Sequence, residues 1–235
     1  MFIRKTRTAT SNGQQEGIAM PNVHRRTFLK YAGMGTAILS AGAALNSCSK
    51  DNTDGSGVSL GSGDTSVLNY AYALEQLEAA FYIQVIATPY AGMSTAEGII
   101  LTDIRNHEIA HREFFKAALG ANAIASLEVN FTSIDFTSRD KVLATAMAFE
   151  DLGVSAYNGA GQYITLPAYL GFAGKIVSVE ARHAAVIRDL ITAGSFADST
   201  AVDAQGLDKA RSPLDVFGIA STYIKTQINV NTLPH

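Results

Sequence analysis

A single cysteine, Cys48, is all the thiol that this 235-residue chain carries, which excludes a disulfide framework and any zinc site built on thiolates. No Lys/Arg cluster follows the first thirty residues and the formal charge is −3, so nucleic acid is excluded as a partner. The stretch from Tyr31 to Ser47 is too short and too rich in Ala and Gly for a membrane span. Charged residues are scarce at 17%, but 47% of side chains are apolar. That balance excludes disorder over the whole length and leaves room for one domain with a full core.

His24-Arg25-Arg26-Thr27-Phe28-Leu29-Lys30 precedes the Tyr31–Ser47 stretch, and together they have the layout of an export signal. The paired arginines resemble a twin-arginine translocation signal. That resemblance implies export of a protein already folded, often with its metal loaded. Leu45-Asn46-Ser47-Cys48 is similar to a lipobox, which implies acylation of Cys48 and a lipid anchor, in the periplasm or on a membrane outside the cytoplasm. Met20 would give a start with a more usual leader length. With residues 1–47 set aside as leader, the remainder holds 18 − 6 = 12 basic and 21 − 1 = 20 acidic side chains, a balance of −8. Residues 48–65, polar and glycine-rich, read as a flexible tether, and residues 66–235 as the folded domain.

Four helices are expected. Apolar residues recur at helical spacing from Ser66 to Ala87, where Thr88-Pro89 stops the run. Ser94 and Glu97 form a capping box that opens a second helix, closed by Gly120. Thr137 and Asp140 give a weaker start for a third, running to about Tyr163. Pro167 opens a fourth that Gly194 ends, and Leu214–Val230 is read as a shorter amphipathic helix capping the bundle. Short connections make helices one and two, and three and four, antiparallel neighbours. The roughly sixteen residues between helices two and three can span some 50 Å at about 3.3 Å each, enough to run the bundle's length as a crossover. The fold expected is all-α: two antiparallel hairpins joined by a long crossover, the ferritin-like arrangement of the four-helix bundle, plus a short C-terminal helix.

Ionisable groups occupy seam positions that ought to be apolar. Helix two has Leu101, Ile104, Glu108, His111, Phe115 and Ala118 at inward spacing, and helix four has Ala173, Ile176, Glu180, His183, Ile187 and Leu190. Helices one and three place Glu75 and Glu150 on their seams, with Tyr82 and Tyr157 seven residues on. Ala73-Leu74-Glu75-Gln76-Leu77 against Ala148-Phe149-Glu150-Asp151-Leu152 points to an internal duplication. In that alignment Glu75 matches Glu150, whereas Glu78 matches Gly153. Counted from helix ends at 1.5 Å per residue, Glu75, Glu108, Glu150 and Glu180 fall within about 3 Å of one height.

Four buried carboxylates repel and would not be carried without compensation. Two divalent cations supply it, with His111 and His183 as neutral ligands, and oxygen with imidazole nitrogen suits iron or manganese. One Glu from each of two helices plus Glu-x-x-His from the other two is the di-iron carboxylate pattern. Tyr82 and Tyr157 either bond ligand carboxylates or take part in redox chemistry. Glu78 is either an additional ligand or a partner of Arg182.

On these residues, 66 to 194, the chain resembles the ferritin-like superfamily, and within it exported bacterial ferritin-like domain proteins related to plant desiccation-related proteins. The resemblance implies that Glu75, Glu108, His111, Glu150, Glu180 and His183 hold two iron ions, that dioxygen or peroxide reacts there, and that copies of the chain can assemble into a homo-oligomer. Glu180-Ala181-Arg182-His183 is similar to the Glu-x-Arg-His of di-iron oxidases, which implies a supporting role for Arg182. Val179 stands where that motif often has an acidic residue. Two other functions remain open: a stress-protective protein that holds iron without turnover, and a zinc peptidase using His107-Glu108-Ile109-Ala110-His111, an HExxH motif. The peptidase reading leaves Glu75, Glu150, Glu180 and His183 without a task.

Overall fold

The computed structural model describes residues 56–235; Arg25, Arg26 and Cys48, with the readings placed on them, lie outside the described residues. The helices are α1 (Asp64–Ala87), α2 (Thr95–Leu119), α3 (Arg139–Ala160), α4 (Pro167–Ile191) and the short α5 (Pro213–Ala220). α1 packs along α2 and α3 along α4, and the chain crosses from the first hairpin to the second through residues 120–138. This is the all-α bundle with one long crossover. Among the described residues no helix is long and apolar enough to cross a membrane.

Local chemistry sets the boundaries. Ser94 Oγ accepts from the Glu97 amide while Glu97 Oε2 accepts from the Ser94 amide, the reciprocal box that satisfies two end donors of α2. The cap of α3 is Ser138, not Thr137: the Ser138 hydroxyl accepts from the Lys141 amide, whereas Thr137 turns back to Asp135. Pro167 occupies the first turn of α4, where a missing N–H leaves nothing unsatisfied. Gly153 and Gly159 do not break α3. At Gly159 a Cβ would meet the Arg211 carbonyl at 1.7 Å, so the glycine is what lets that backbone lie on the helix.

Burial differs sharply between inner and outer helices. In α1, 17 of 24 residues are buried, against 6 of 25 in α2, so α1 needs cover on its outer face as well as its seam. The crossover and the C-terminal segment supply it. Asn69 of α1 donates to the Asn122 carbonyl and accepts from the Ile124 amide, and Gln76 accepts from the Leu127 amide, so two buried amide side chains pin the crossover backbone. Phe131 and Phe136 of the crossover pack on Phe81. Phe217 of α5 lies against Tyr70, and Tyr223 against Phe149.

Two expectations are corrected at the ends of the domain. The helix anticipated over Leu214–Val230 stops at Ala220; a 3-10 turn follows at Ser221–Tyr223, and the chain then extends to form isolated bridges from Ile224 to Val129 and from Ile228 to Val58. The domain also starts before residue 66. Leu60 is fully buried, its amide donates to Thr232 Oγ1 and its carbonyl accepts from Asn69, so residues 58–65 belong to the fold and not to a tether.

Candidate metal centre

Glu75 on α1, Glu108 and His111 on α2, Glu150 on α3, and Glu180 and His183 on α4 meet at mid-height in the bundle. All four carboxylates are fully buried, and His183 is 4% exposed. Their donor atoms form two groups, Glu75–Glu108–His111–Glu180 and Glu108–Glu150–Glu180–His183, each with one atom per residue inside 4.8 Å. Glu108 and Glu180 belong to both groups. The sharing follows from the seam spacing, because residues three apart on a helix lie on one face and His111 and His183 each follow their glutamate by three.

Exchanging the hairpins reproduces the pattern. His111 Nδ1 stands 2.8 Å from Glu180 and 3.4 Å from Glu75; His183 Nδ1 stands 2.9 Å from Glu108 and 3.4 Å from Glu150. The Tyr82 hydroxyl donates to Glu150 Oε1 at 2.5 Å, and the Tyr157 hydroxyl donates to Glu75 Oε1. Each tyrosine thus restrains the glutamate of the opposite half and leaves that glutamate's second oxygen facing inward.

Eight inward atoms are buried without a hydrogen-bond partner: Glu75 Oε2, both oxygens of Glu108 and of Glu180, Glu150 Oε2, and Nδ1 of His111 and His183. The imidazole nitrogens lie at ion-pair distances from the carboxylates, but the directions do not form hydrogen bonds. Buried polar atoms are otherwise almost always paired, so this set fits a cation pair. Oxygen and imidazole nitrogen without thiolate suit iron or manganese.

Burial pushes Glu75, Glu108 and Glu150 above the usual carboxylate range, Glu150 to about 7, and the Glu180 charge adds to the rise. Glu180 is held low despite its burial, because both imidazoles face it. Burial would lower an imidazole, but the surrounding carboxylates outweigh it and push His111 and His183 up to about 12. Those two protons offset part of the carboxylate charge. A divalent cation does the same by displacing them.

The remaining candidates fall elsewhere. Glu78 is buried against α3, and a Cβ on Gly153 would stand 3.0 Å from its Oε1. The glycine makes room for this extra acid, which belongs to neither donor group. Burial first, then Glu108, Glu180, Glu150 and Glu75, drive its carboxyl well above the ordinary range. Arg182 is exposed, and no ion pair joins it to Glu78 among the described residues. It points away because position 182 falls between the seam positions 180 and 183, on the outer side of α4. The buried arginine is Arg188, paired with Asp151 and Asp198.

His107, the first residue of the HExxH motif, has a contact that the motif does not foretell. Its Nδ1 lies 2.9 Å from His183 Nε2, with the rings 5.2 Å apart and nearly parallel. It therefore contacts a candidate ligand on the side facing away from the cluster and belongs to neither donor group, so the two-imidazole arrangement of an HExxH peptidase is not formed. The sequence signal at this position is the HExxH motif itself. At the matching position in the second half stands Val179, which has no side-chain nitrogen to offer His111.

The sequence pattern of a family described as ferritin-like domain matches residues 63–193. No curated protein matches the chain.

Proposed function

The chain belongs to the ferritin-like domain family, and from that premise we propose that Glu75, Glu108, His111, Glu150, Glu180 and His183 hold two iron or manganese ions and that the protein is an exported oxidoreductase acting on dioxygen or peroxide. One observation carries the reading: eight buried donor atoms converge without partners of their own. Bound there, a pair of reduced ions would supply two electrons, one from each.

The chain's own groups do the rest. Glu108 and Glu180, shared by both donor groups, hold the ions as a pair. Tyr82 and Tyr157 fix the outer oxygens of Glu150 and Glu75, so that the inner ones stay turned to the centre. His107 holds the ring of His183 from behind, as outer partners of metal-binding histidines do. Glu78 stands close to the cluster, its carboxyl driven well above the ordinary range by burial and by the neighbouring carboxylates. The low-dielectric wall of Leu101, Ile104, Leu143 and Ile187 excludes water around the set.

Anaerobic loading with ferrous iron followed by oxygen tests the proposal. Two ions per chain, a transient absorbance and oxygen consumption are expected. Two ions held stably and without colour change would instead support a protein that stores or sequesters iron without turnover. The absence of bound iron or manganese would remove both readings. Export and anchoring rest on the leader: labelled fatty acid should enter the wild-type chain in cells and be absent from Cys48→Ala.

A further inference from the structure

An apolar pocket of about 30 Å³, partly open to solvent, is lined by side chains of all four helices. Tyr157, whose hydroxyl bonds Glu75, forms part of its wall, together with Leu74 and Phe115 from the turns that carry Glu75 and His111. One side chain therefore separates the cavity from the first donor group.

The duplication shows how the space arises. Carrying each wall residue to its counterpart in the other half, Ala156 corresponds to Phe81, Ala160 to Val85, Gly161 to Ile86, Ala118 to Leu190 and Ala173 to Leu101. At the opposite end Phe81, Val85 and Leu101 are fully buried, and the Phe81 ring packs edge-on against Tyr82 and Phe149. The exchange runs the other way at Phe114 and Phe115, opposite Val186 and Ile187, so the walls are bulkier while the middle is cleared. The end next to Glu75 keeps the space.

We propose that this cavity binds a small uncharged apolar molecule of dioxygen's size and gives dioxygen its approach to the Glu75–His111 side of the centre. The argument rests on the oxygen-reactive reading above for the identity of the guest, and on geometry alone for the pocket. A water needs two to four polar partners and a space of at least about 10–15 Å³. The volume here is sufficient, but the polarity is not. Tyr157 has committed its hydroxyl to Glu75, and of the buried side-chain polar atoms on the wall the Tyr70 hydroxyl alone is without a partner among the described residues. A lining this poor in polar partners disfavours water and suits an apolar guest such as xenon.

Xenon-pressurised crystals of the wild-type protein should show one xenon bounded by Leu74, Phe115 and Tyr157. The double variant Ala118→Leu/Ala160→Val, which copies the filled end, should lose that xenon and still bind two metal ions. After ferrous loading it should need a several-fold higher oxygen concentration for half-maximal oxidation rate. A wild type without xenon overturns the pocket. A filled variant that loses xenon but keeps the wild-type oxygen dependence overturns the route. Xenon bound by a ferrous-loaded wild type that never reacts with oxygen overturns the route through the failure of the oxygen-reactive reading, and is told apart from the other failures by the xenon still being there. If the double variant fails to fold, Ala160→Val alone is measured in the same way.

Discussion

On the Glu75 side of the centre an apolar pocket lies behind Tyr157; on the Glu150 side Phe81 packs on Phe149, and His183 is gripped from behind by His107. Glu78 of α1 has no counterpart, because its matching position is Gly153, and that glycine is what admits the Glu78 carboxyl. Even the residue after each seam glutamate has diverged: Gln76 pins the crossover, whereas Asp151 pairs with the buried Arg188. The donor atoms match between halves and their surroundings do not. On the function proposed above, matching donors would set the number and charge of the cations, and unmatched surroundings how tightly each would be held and how it would be reached.

The largest effect should come from abolishing the comparison. Glu108→Ala removes a ligand shared by both groups, so metal analysis should find both ions lost, whereas Glu75→Ala and Glu150→Ala should each lose chiefly one. Retention of one tight ion in Glu108→Ala would contradict the shared role. His107→Ala should sharpen the asymmetry: it weakens one of two binding steps by about 10–100-fold and leaves the other in place. His107→Gln, which can still accept from His183, should restore part of the loss, and calorimetric titration with manganous ion reads both.

A smaller effect concerns protons. His111 and His183, pushed up to about 12, and Glu150, pushed to about 7, bind more protons folded than unfolded. Folded pKa values above unfolded ones give stability that declines as pH rises, so the apoprotein should melt lower at about pH 8 than at about pH 6. Metal binding needs those protons gone and strengthens over the same range. The rise in melting temperature on adding metal should therefore grow with pH; a metal-induced rise that shrinks would reject the assignment of His111 and His183 as ligands. The smallest effect tests the Glu78–Gly153 pair. Gly153→Ala should lower stability by about 1 kcal/mol as the new methyl crowds Glu78. In a Glu78→Ala background the same change should raise stability by up to about 1 kcal/mol through helix propensity. Denaturant melts of the four proteins close the cycle.

Legibility in the sequence tracked locality. The seam spacing of α2 and α4, the Ser94–Glu97 box and the Pro167 start are properties of neighbouring residues, and the structure shows all of them. The crossover's length gave its path but not its moorings, because Asn69 and Gln76 serve backbone more than fifty residues away. The His107–His183 contact is not legible in the sequence, because helical periodicity sorts residues by face on their own helix and says nothing of which ring on another helix lies within reach. Arg182 was overvalued for the opposite reason: a motif places it beside His183 in sequence, while the turn of α4 carries it outward.

By itself the sequence determined which side chains share a face and a height, since the rise and twist of a helix are fixed by local backbone geometry. It therefore settled four helices, their order and the layer in which six polar groups sit. Only packing decided that each tyrosine reaches the other half's glutamate, that Glu78 settles against Gly153, and that one end of the bundle keeps a cavity. Those outcomes depend on distances between helices, which long-range burial sets and no run of neighbouring residues encodes.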